Sequence, residues 1–481
     1  MRKALILLLV LAVLAAGGIT AAALQLNNSA DAVLLQQQTL YGDAAAAAGL
    51  HIDSSLHSGR RLFWQLSFPV TENPGATVEM RQHLLPQDIS GPSTHRHSGV
   101  SIGAYARGGS STSGDFEENG WLDVGEPFQT LTPAFADVAA RTPSGEQHTE
   151  TVRLRDYFEY YLLSVDVDIS GSGLFLLPDG SEPTPAALSA AFAAYFRIPV
   201  LEDNAVEITV GRDAAGRVQE LQINDPEGSG PELFGPGAVT ENAVYFALRT
   251  DSRLDLSLLP DGTGIFCLPY EMSTAPSSNR PLPVIHPEQL SCVYPLPQDT
   301  VIADMRLTDG GTLLLFTLQD GSLRLDELAL PAAAGQPLRR LYRLELLPAE
   351  DPYAFRAAVL FEDCLLVFNT QNEMLLLQRD TDNAFQPVLC TDITAAVDAG
   401  LALPYGHDAV FAWDGERLAA VQYRAWTGAE GCCDIYAAVF DAGGLRYAGL
   451  ITSTLSRNRG ADSDGQVRPV DAAPLSARWL P

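Results

Sequence analysis

The sequence predicts a mainly β protein, and three observations carry that prediction. The 481 residues include 40 Gly and 31 Pro, so turn formers punctuate the chain from end to end. Hydrophobic residues make up 46% and charged residues only 19%, enough apolar material for large cores and too little charge for a disordered chain. Asp-Gly, the dipeptide that best suits a two-residue hairpin turn, recurs at 179–180, 261–262, 309–310, 320–321, 414–415 and 464–465.

The N-terminus is expected to set the address. Met1-Arg2-Lys3 is a basic start, and Ala4 to Leu26 carries no charge, a run long enough to span a bilayer as a helix. Two readings of residues 1–26 stand. Small residues at Ala21 and Ala23 offer a signal-peptide cleavage site after Ala23, which gives a secreted protein. Retention as a signal anchor, the preferred reading because Gly17-Gly18 weakens but does not end the apolar run, gives a single-pass membrane protein. Arg2 and Lys3 then stay on the cytoplasmic side, and the C-terminal body lies outside.

Charge narrows the partners. The formal net charge is −29, and Lys3 is the single lysine in the chain. Such a field repels phosphate backbones and anionic head groups, so nucleic acid is not expected as a partner, and membrane contact is expected through the N-terminal segment only. The cysteines Cys267, Cys292, Cys364, Cys390, Cys432 and Cys433 show no C-x-x-C spacing, which argues against zinc. Cys267 with Cys292, and Cys364 with Cys390, would close loops of similar length in an oxidising compartment; buried free thiols are the other reading.

Along the chain, residues 27–58 are polar and Ala-rich and read as a stalk, part of it helical. Residues 59–150 read as an N-terminal β region, with strands over Leu62–Phe68 and Val100–Tyr105 and an acidic loop at 108–129. Thr132-Pro133 and Thr184-Pro185 predict two short helices with threonine N-caps. In the second, Leu188, Ala191, Phe192, Tyr195 and Phe196 share one buried face. Residues 151–455 alternate strand, tight turn and strand, and 456–481 form a C-terminal tail. Thr312–Phe316 and Leu323–Leu328 flank one turn; Leu365–Phe368 and Met374–Leu377 flank another. Aligning Phe316, Phe368 and Tyr423 gives steps of a little over about 50 residues. Leu176-Leu177-Pro178-Asp179-Gly180 also recurs intact as Leu258-Leu259-Pro260-Asp261-Gly262.

Steps of this size, each holding about four strands, resemble the blades of β-propeller proteins over roughly residues 150–455. The resemblance implies a divergent β-propeller of about five to eight blades with short helical insertions, behind the N-terminal membrane segment. Tandem β-sandwiches are the alternative, because regularly spaced hairpins describe them too. A Pro/Ser-rich insertion at 273–299 breaks the period, and no Gly-His…Trp-Asp pair or sialidase-type Asp box names a family. Ring closure would have Leu62–Phe68 pair in the last blade near Tyr436–Phe440.

Asp115, Glu117, Asn119, Asp123 and Glu126 occupy positions 1, 3, 5, 9 and 12 of a loop with Gly120 at position 6, a pattern similar to an EF-hand calcium loop. Glu117 is long for its place and the flanks are not helical, so an acidic solvated loop is the competing reading. Asn458, Asp462, Asp464 and Gly465 form a weaker acidic loop. His95-Arg96-His97 near His83, and Asp166 with Asp168, are candidate polar pairs on strands. There is no Gly-x-Ser-x-Gly elbow, P-loop or Gly-x-Gly-x-x-Gly, and no catalytic residue or organic cofactor is named. The expected function is therefore a membrane-tethered binding or scaffold protein with a protein or carbohydrate partner on the propeller face. A propeller-type carbohydrate hydrolase or lyase and a structural component of a cell-envelope complex are the alternatives.

Overall fold

A computed structural model describes residues 17–18, 33–58, 62–71, 74–83, 99–104, 109–112, 131–161, 163–169, 175–178, 185–224, 233–234, 237–250, 259, 262–274, 281–348, 354–403, 409–424, 433–457, 467–469 and 475–480. The chain is mainly β and forms two compact units, one of residues 96–352 and one that joins residues 1–95 to residues 353–481. Among the described residues no helix is long and apolar enough to cross a membrane. The apolar run Ala4–Leu26 lies almost wholly outside them.

The second unit in this order, which contains both chain ends, holds three antiparallel sheets. The first is a meander of Phe355–Phe361, Cys364–Asn369, Glu373–Arg379 and Phe385–Asp392, paired in chain order. The second repeats that order with Val410–Trp413, Leu418–Tyr423, Ile435–Asp441 and Gly444–Ser453, then adds Leu35–Gly42 on its outer edge. The third pairs Leu50–Ser58, Leu62–Pro69 and Thr77–Gln82 in order, with Leu475–Trp479 and Val467–Pro469 on the open side of Leu50–Ser58. These sheets stack face to face. Ala420, Ala438 and Phe440 meet Leu366, Phe368 and Met374 of the first sheet. Their alternates Ala419, Val421, Ala437 and Val439 share a core with Ile52, Leu56, Leu66 and Phe68 of the third. A sheet covered on both faces favours apolar residues on both sides of its strands, and Leu418–Tyr423 is buried throughout, with Gln422 its one polar member.

In residues 96–352, Val301–Leu307, Thr312–Gln319, Ser322–Ala329 and Arg339–Pro348 form another four-stranded meander. Its Leu313, Leu315 and Leu328 pack on Tyr245, Ile265 and Cys267 of a sheet built from Gly237–Val239, Ala243–Ala247, Gly264–Thr274, Pro281–Ile285 and Ser291–Pro295. The opposite face of that sheet, with Phe246 and Phe266, receives Phe192 and Phe196 from helix Pro185–Phe196. Leu188 is buried beside them, so the expected apolar face is the one that packs. A further sheet runs in the order Gly109–Thr112, Val218–Asn224, Ala205–Arg212, Gln147–Arg153.

Several expectations are met by local geometry. Asp320 and Gly321 both take positive φ, 51° and 74°, and join Gln319 to Ser322 as a two-residue primed turn. Asp414 caps its turn by accepting from the backbone N–H of Glu416 at 2.9 Å and of Arg417 at 2.6 Å. Phe316, Phe368 and Tyr423 all fall on the second strands of consecutive meanders, so the step of about 50 residues marks a structural repeat. Strands Leu62–Pro69 and Gly99–Ala104 lie where the alternation placed them.

Other expectations are corrected. The stretch expected as a stalk contains strands Leu35–Gly42 and Leu50–Ser58, which belong to different sheets and are joined through a 3-10 turn at Ala44–Ala47. A polar strand such as Leu35–Gly42 needs no apolar face when it sits at an outer edge, so composition alone hides it. The expected tail supplies Leu475–Trp479, and Leu62–Pro69 pairs with Leu50–Ser58 and Thr77–Gln82 instead of near Tyr436–Phe440. Residues 281–285 and 291–295, inside the expected insertion, are strands on opposite halves of the long strand Gly264–Thr274. Thr132 lies inside helix Thr132–Arg141, whose N-cap is Leu131 with no side-chain cap. Of the repeated Leu-Leu-Pro-Asp-Gly, Leu176 makes a parallel bridge to Val284, and Asp179, Gly180, Leu258, Pro260 and Asp261 lie outside the described residues.

Candidate functional site

The calcium-loop candidates Asp115, Glu117, Asn119, Asp123 and Glu126 lie outside the described residues, as do Asn458, Asp462, Asp464, Gly465, His95, Arg96 and His97. His83 packs edge-on against Phe63, with ring centroids 5.3 Å apart and planes at 88°. Asp166 and Asp168 hold alternate positions of strand Leu163–Asp168, in register with Ser101 and Gly99, while the intervening Val165 and Val167 are buried. Among the described residues no group of three or more His, Cys, Asp or Glu is arranged to hold a metal ion.

The two suggested cysteine pairs are separated by the pleat. Cys267 points into the core with Leu313 and Leu315, whereas Cys292 packs against the core of Phe246 and Phe266 on the other face of its sheet. Cys364 belongs to the core with Leu366 and Leu389, and Cys390 follows Leu389 on the opposite face. Neither pair is bonded. Burial pushes the Cys364 thiol up to about 12, with the neighbouring Asp363 carboxylate adding to the effect. Burial raises Cys267 as well. Protonated thiols of this kind are poor nucleophiles.

A polar grouping that sequence reading missed lies on the sheet built from both chain ends. His51 and Asp53 alternate with buried Leu50 and Ile52 on strand Leu50–Ser58. Across the ladder, Ser67 stands opposite Asp53 on one side, and Ser476 stands opposite it on the other. The Ser67 hydroxyl donates to Asp53 Oδ1 at 2.5 Å, and His51 Nε2 lies 2.8 Å from Ser67 Oγ. Arg478 pairs with the same carboxylate. Desolvation pushes Asp53 up, but the hydrogen bonds from Ser67 and Arg478 and the Arg478 charge outweigh it, holding the carboxyl below its ordinary range.

The order of this chain decides its chemistry. In a nucleophilic triad the imidazole stands between hydroxyl and carboxylate and takes the hydroxyl proton. Here the hydroxyl stands between imidazole and carboxylate. A serine hydroxyl has one hydrogen to donate, so with that hydrogen bonded to Asp53 the contact to His51 requires Nε2–H to donate. His51 is then no base toward Ser67. The group acts as a fastener between three strands.

A second network lies in the meander 301–348. Asp326 is fully buried and accepts two hydrogen bonds of 2.7 Å from the Arg343 guanidinium. The hydrogen bonds that Arg343 donates to Asp326 outweigh desolvation and raise the Arg343 pKa above its ordinary value. On the other face Glu327 accepts from Tyr342 at 2.6 Å and from Thr312 at 2.5 Å. Burial, then the Asp326 charge, pushes the Tyr294 phenol up. In the sheet 410–453, Gln422 Oε1 and Asp434 Oδ1 are buried with no hydrogen-bond partner among the described residues. Such acceptors call for a donor from water or a ligand.

No protein-family model matches the chain, and no curated protein matches it. Solved structures that align with parts of the chain include the following three. One, a protein from Lactobacillus plantarum, is 13% identical over 53% of this chain and 67% of its own, with a TM-score of 0.26. The β-propeller domain of Cps50 (Swd1) from Myceliophteria thermophila is 12% identical over 50% of this chain and 67% of its own, at 0.24. A quinonprotein alcohol dehydrogenase-like protein from Bacteroides thetaiotaomicron is 9% identical over 84% of this chain and 91% of its own, at 0.16. At TM-scores of this size neither fold nor activity follows from the superpositions. The chain resembles β-propeller proteins at the level of fold through its own four-stranded meanders, and it resembles no specific family.

Proposed function

We propose that the protein is a membrane-tethered, extracytoplasmic binding or scaffold module, with its sheets as blades of a closed β-propeller. The observation that supports this most is how its polar groups are wired. Asp53 is matched by Arg478, Asp326 by Arg343 and Glu327 by Tyr342, and the Ser67 hydroxyl donates its hydrogen bond to a carboxylate instead of to His51. Fixed partners of this kind stiffen a scaffold and leave little for general acid–base work. The orphan acceptors of Gln422 and Asp434 suit a bound donor. The partner is a protein or a carbohydrate on the propeller face, a choice supported by the acidic charge of −29, which disfavours nucleic acid.

The test is an assay of the full chain in membranes against a panel of envelope polysaccharides, followed by chemical crosslinking in intact cells. Retention on one polysaccharide without release of new chain ends, or a recurring crosslink to one envelope protein, supports the module. Release of reducing or unsaturated ends transfers the case to the carbohydrate hydrolase or lyase. A crosslink that persists only inside a stable multi-protein assembly favours the structural envelope role.

Calcium at Asp115, Glu117, Asn119, Asp123 and Glu126 belongs to the same proposal, supported by ligand spacing alone. Added calcium should raise the melting temperature by mass action, and Glu126→Gln should remove that gain. Identical melting curves with calcium and with chelator would leave a solvated acidic loop.

A further inference from the structure

Among the described residues, strand Leu35–Gly42 is an edge of its sheet, paired on one side with Gly444–Ser453. Val33 to Gly42 contains no charged residue, in a chain whose net charge is −29. The partner strand has Arg446 as its charged residue, and Arg446 is held by Asp441 at 2.7 Å. Around this near-neutral edge, apolar side chains face outward: Leu34 is 62% exposed, Tyr41 46% and Leu40 37%. Most apolar strand residues elsewhere in the same unit fill cores between stacked sheets, with Val388 on strand Phe385–Asp392 an exposed exception.

We propose that this edge is a docking surface for the lipid bilayer, with Leu34, Leu40 and Tyr41 seated at head-group level. The proposal rests on the reading that Ala4–Leu26 stays in the membrane, and it says which part of the body meets that membrane. The connection from Leu26 to Leu35 reaches at most about 30 Å when fully extended, so a retained anchor holds this edge at the bilayer surface. Leucine and tyrosine suit that depth, the tyrosine ring sitting among acyl chains while its hydroxyl meets water. The acidic remainder of the body is repelled by anionic lipid, which turns the uncharged edge inward. A second copy adding a strand is the competing occupant. The register shift between Thr39 and Tyr41 breaks the ladder at Leu40, the kind of irregularity that discourages strand addition at an edge.

The experiment uses the full-length chain in vesicles of phosphatidylcholine and phosphatidylglycerol, with and without brominated phosphatidylcholine. Tyr41→Trp reports on the edge, and Val388→Trp, at another exposed strand position, is the comparison. The parent chain supplies the background from native tryptophans. Brominated lipid should quench the Tyr41→Trp emission and leave Val388→Trp unchanged, and adding Leu40→Asp should cancel the quenching while flotation with vesicles persists. Flotation with no quenching in Tyr41→Trp overturns the docking and leaves the anchor standing. Loss of flotation overturns anchor and docking together. A crosslink between copies through position 41, with no lipid quenching, assigns the edge to self-association.

Discussion

The meander 301–348 and the sheet around Leu50–Ser58 reach similar architectures by different routes. In the meander each strand pairs with its neighbour in sequence, through turns as short as Asp320-Gly321. In the other sheet, Leu50↔Trp479 to Ser54↔Leu475 join the two ends of the chain. Closing a two-residue turn costs little conformational entropy, whereas closing a loop of several hundred residues costs more and gains nothing until the strands meet. Side chains offset that cost. Arg417 stacks over Trp479 at 4.0 Å and donates to the carbonyls of Ala46 and Ala48 at 3.1 Å each. Trp479 Nε1 donates to the Ala412 carbonyl at 3.1 Å, and Arg478 pairs with Asp53. The locally built sheet depends on its turns, and the composite one depends on a clasp.

Removing residues 475–481 is the strongest way to break that comparison. The change deletes a whole ladder and the Trp479 contacts, and an expected loss on the order of 3–5 kcal/mol follows from the buried area and hydrogen bonds lost. Amide exchange should accelerate across residues 50–69 and stay unchanged across 312–329. Equal acceleration in both would show that the two sheets are not energetically distinct.

Within the meander, Asp326→Ala should cost about 3 kcal/mol in chemical denaturation, toward the low end for a broken buried pair because Arg343 reaches water. Asp326→Leu with Arg343→Met should recover most of it, since two apolar groups leave no charge stranded. A single variant as stable as the parent would mean that the pair adds nothing to the sheet.

A smaller effect tests the turn. Gly321 sits at φ 74°, where a Cβ is strained, so Gly321→Ala should cost about 1–2 kcal/mol. Asp320→Asn should be nearly neutral, because asparagine tolerates the same left-handed conformation. Thermal melts of the two variants separate turn strain from loss of side-chain contacts.

The smallest effect belongs to the Asp53–Arg478 pair. The Asp53 carboxyl is held below its unfolded value, so its contribution is full above the unfolded pKa of about 4 and is lost as pH falls through the folded one. With both partners partly exposed, the contribution is about 0.5 kcal/mol or less. Arg478→Met should therefore melt slightly below the parent at neutral pH, with the gap closing in acid. A gap that widens in acid would reverse the assigned direction.

Much of the architecture was legible because it is local. Leu365–Phe368 and Met374–Leu377 announce a buried hairpin by apolar runs around a turn, and the structure pairs Leu365 with Leu377. Helix Pro185–Phe196 shows its buried face at helical spacing. The Ser67 grouping was not legible. Ser67 and Asp53 lie 14 positions apart, but Arg478 lies 425 positions from Asp53, and no local signal marks which strand will stand opposite. The calcium-loop spacing was visible at once, and its residues lie outside those described.

The sequence by itself determined the β content, the hairpin turns and the net negative charge, because each follows from the residues themselves: period-two alternation, positive-φ dipeptides, side-chain charge. Tertiary structure alone decided that Leu35–Gly42 and Leu475–Trp479 are strands and not stalk and tail. Neither carries a strong strand signal, and each becomes a strand because a sheet edge, Gly444–Ser453 or Leu50–Ser58, offers unpaired N–H and C=O groups for it to satisfy.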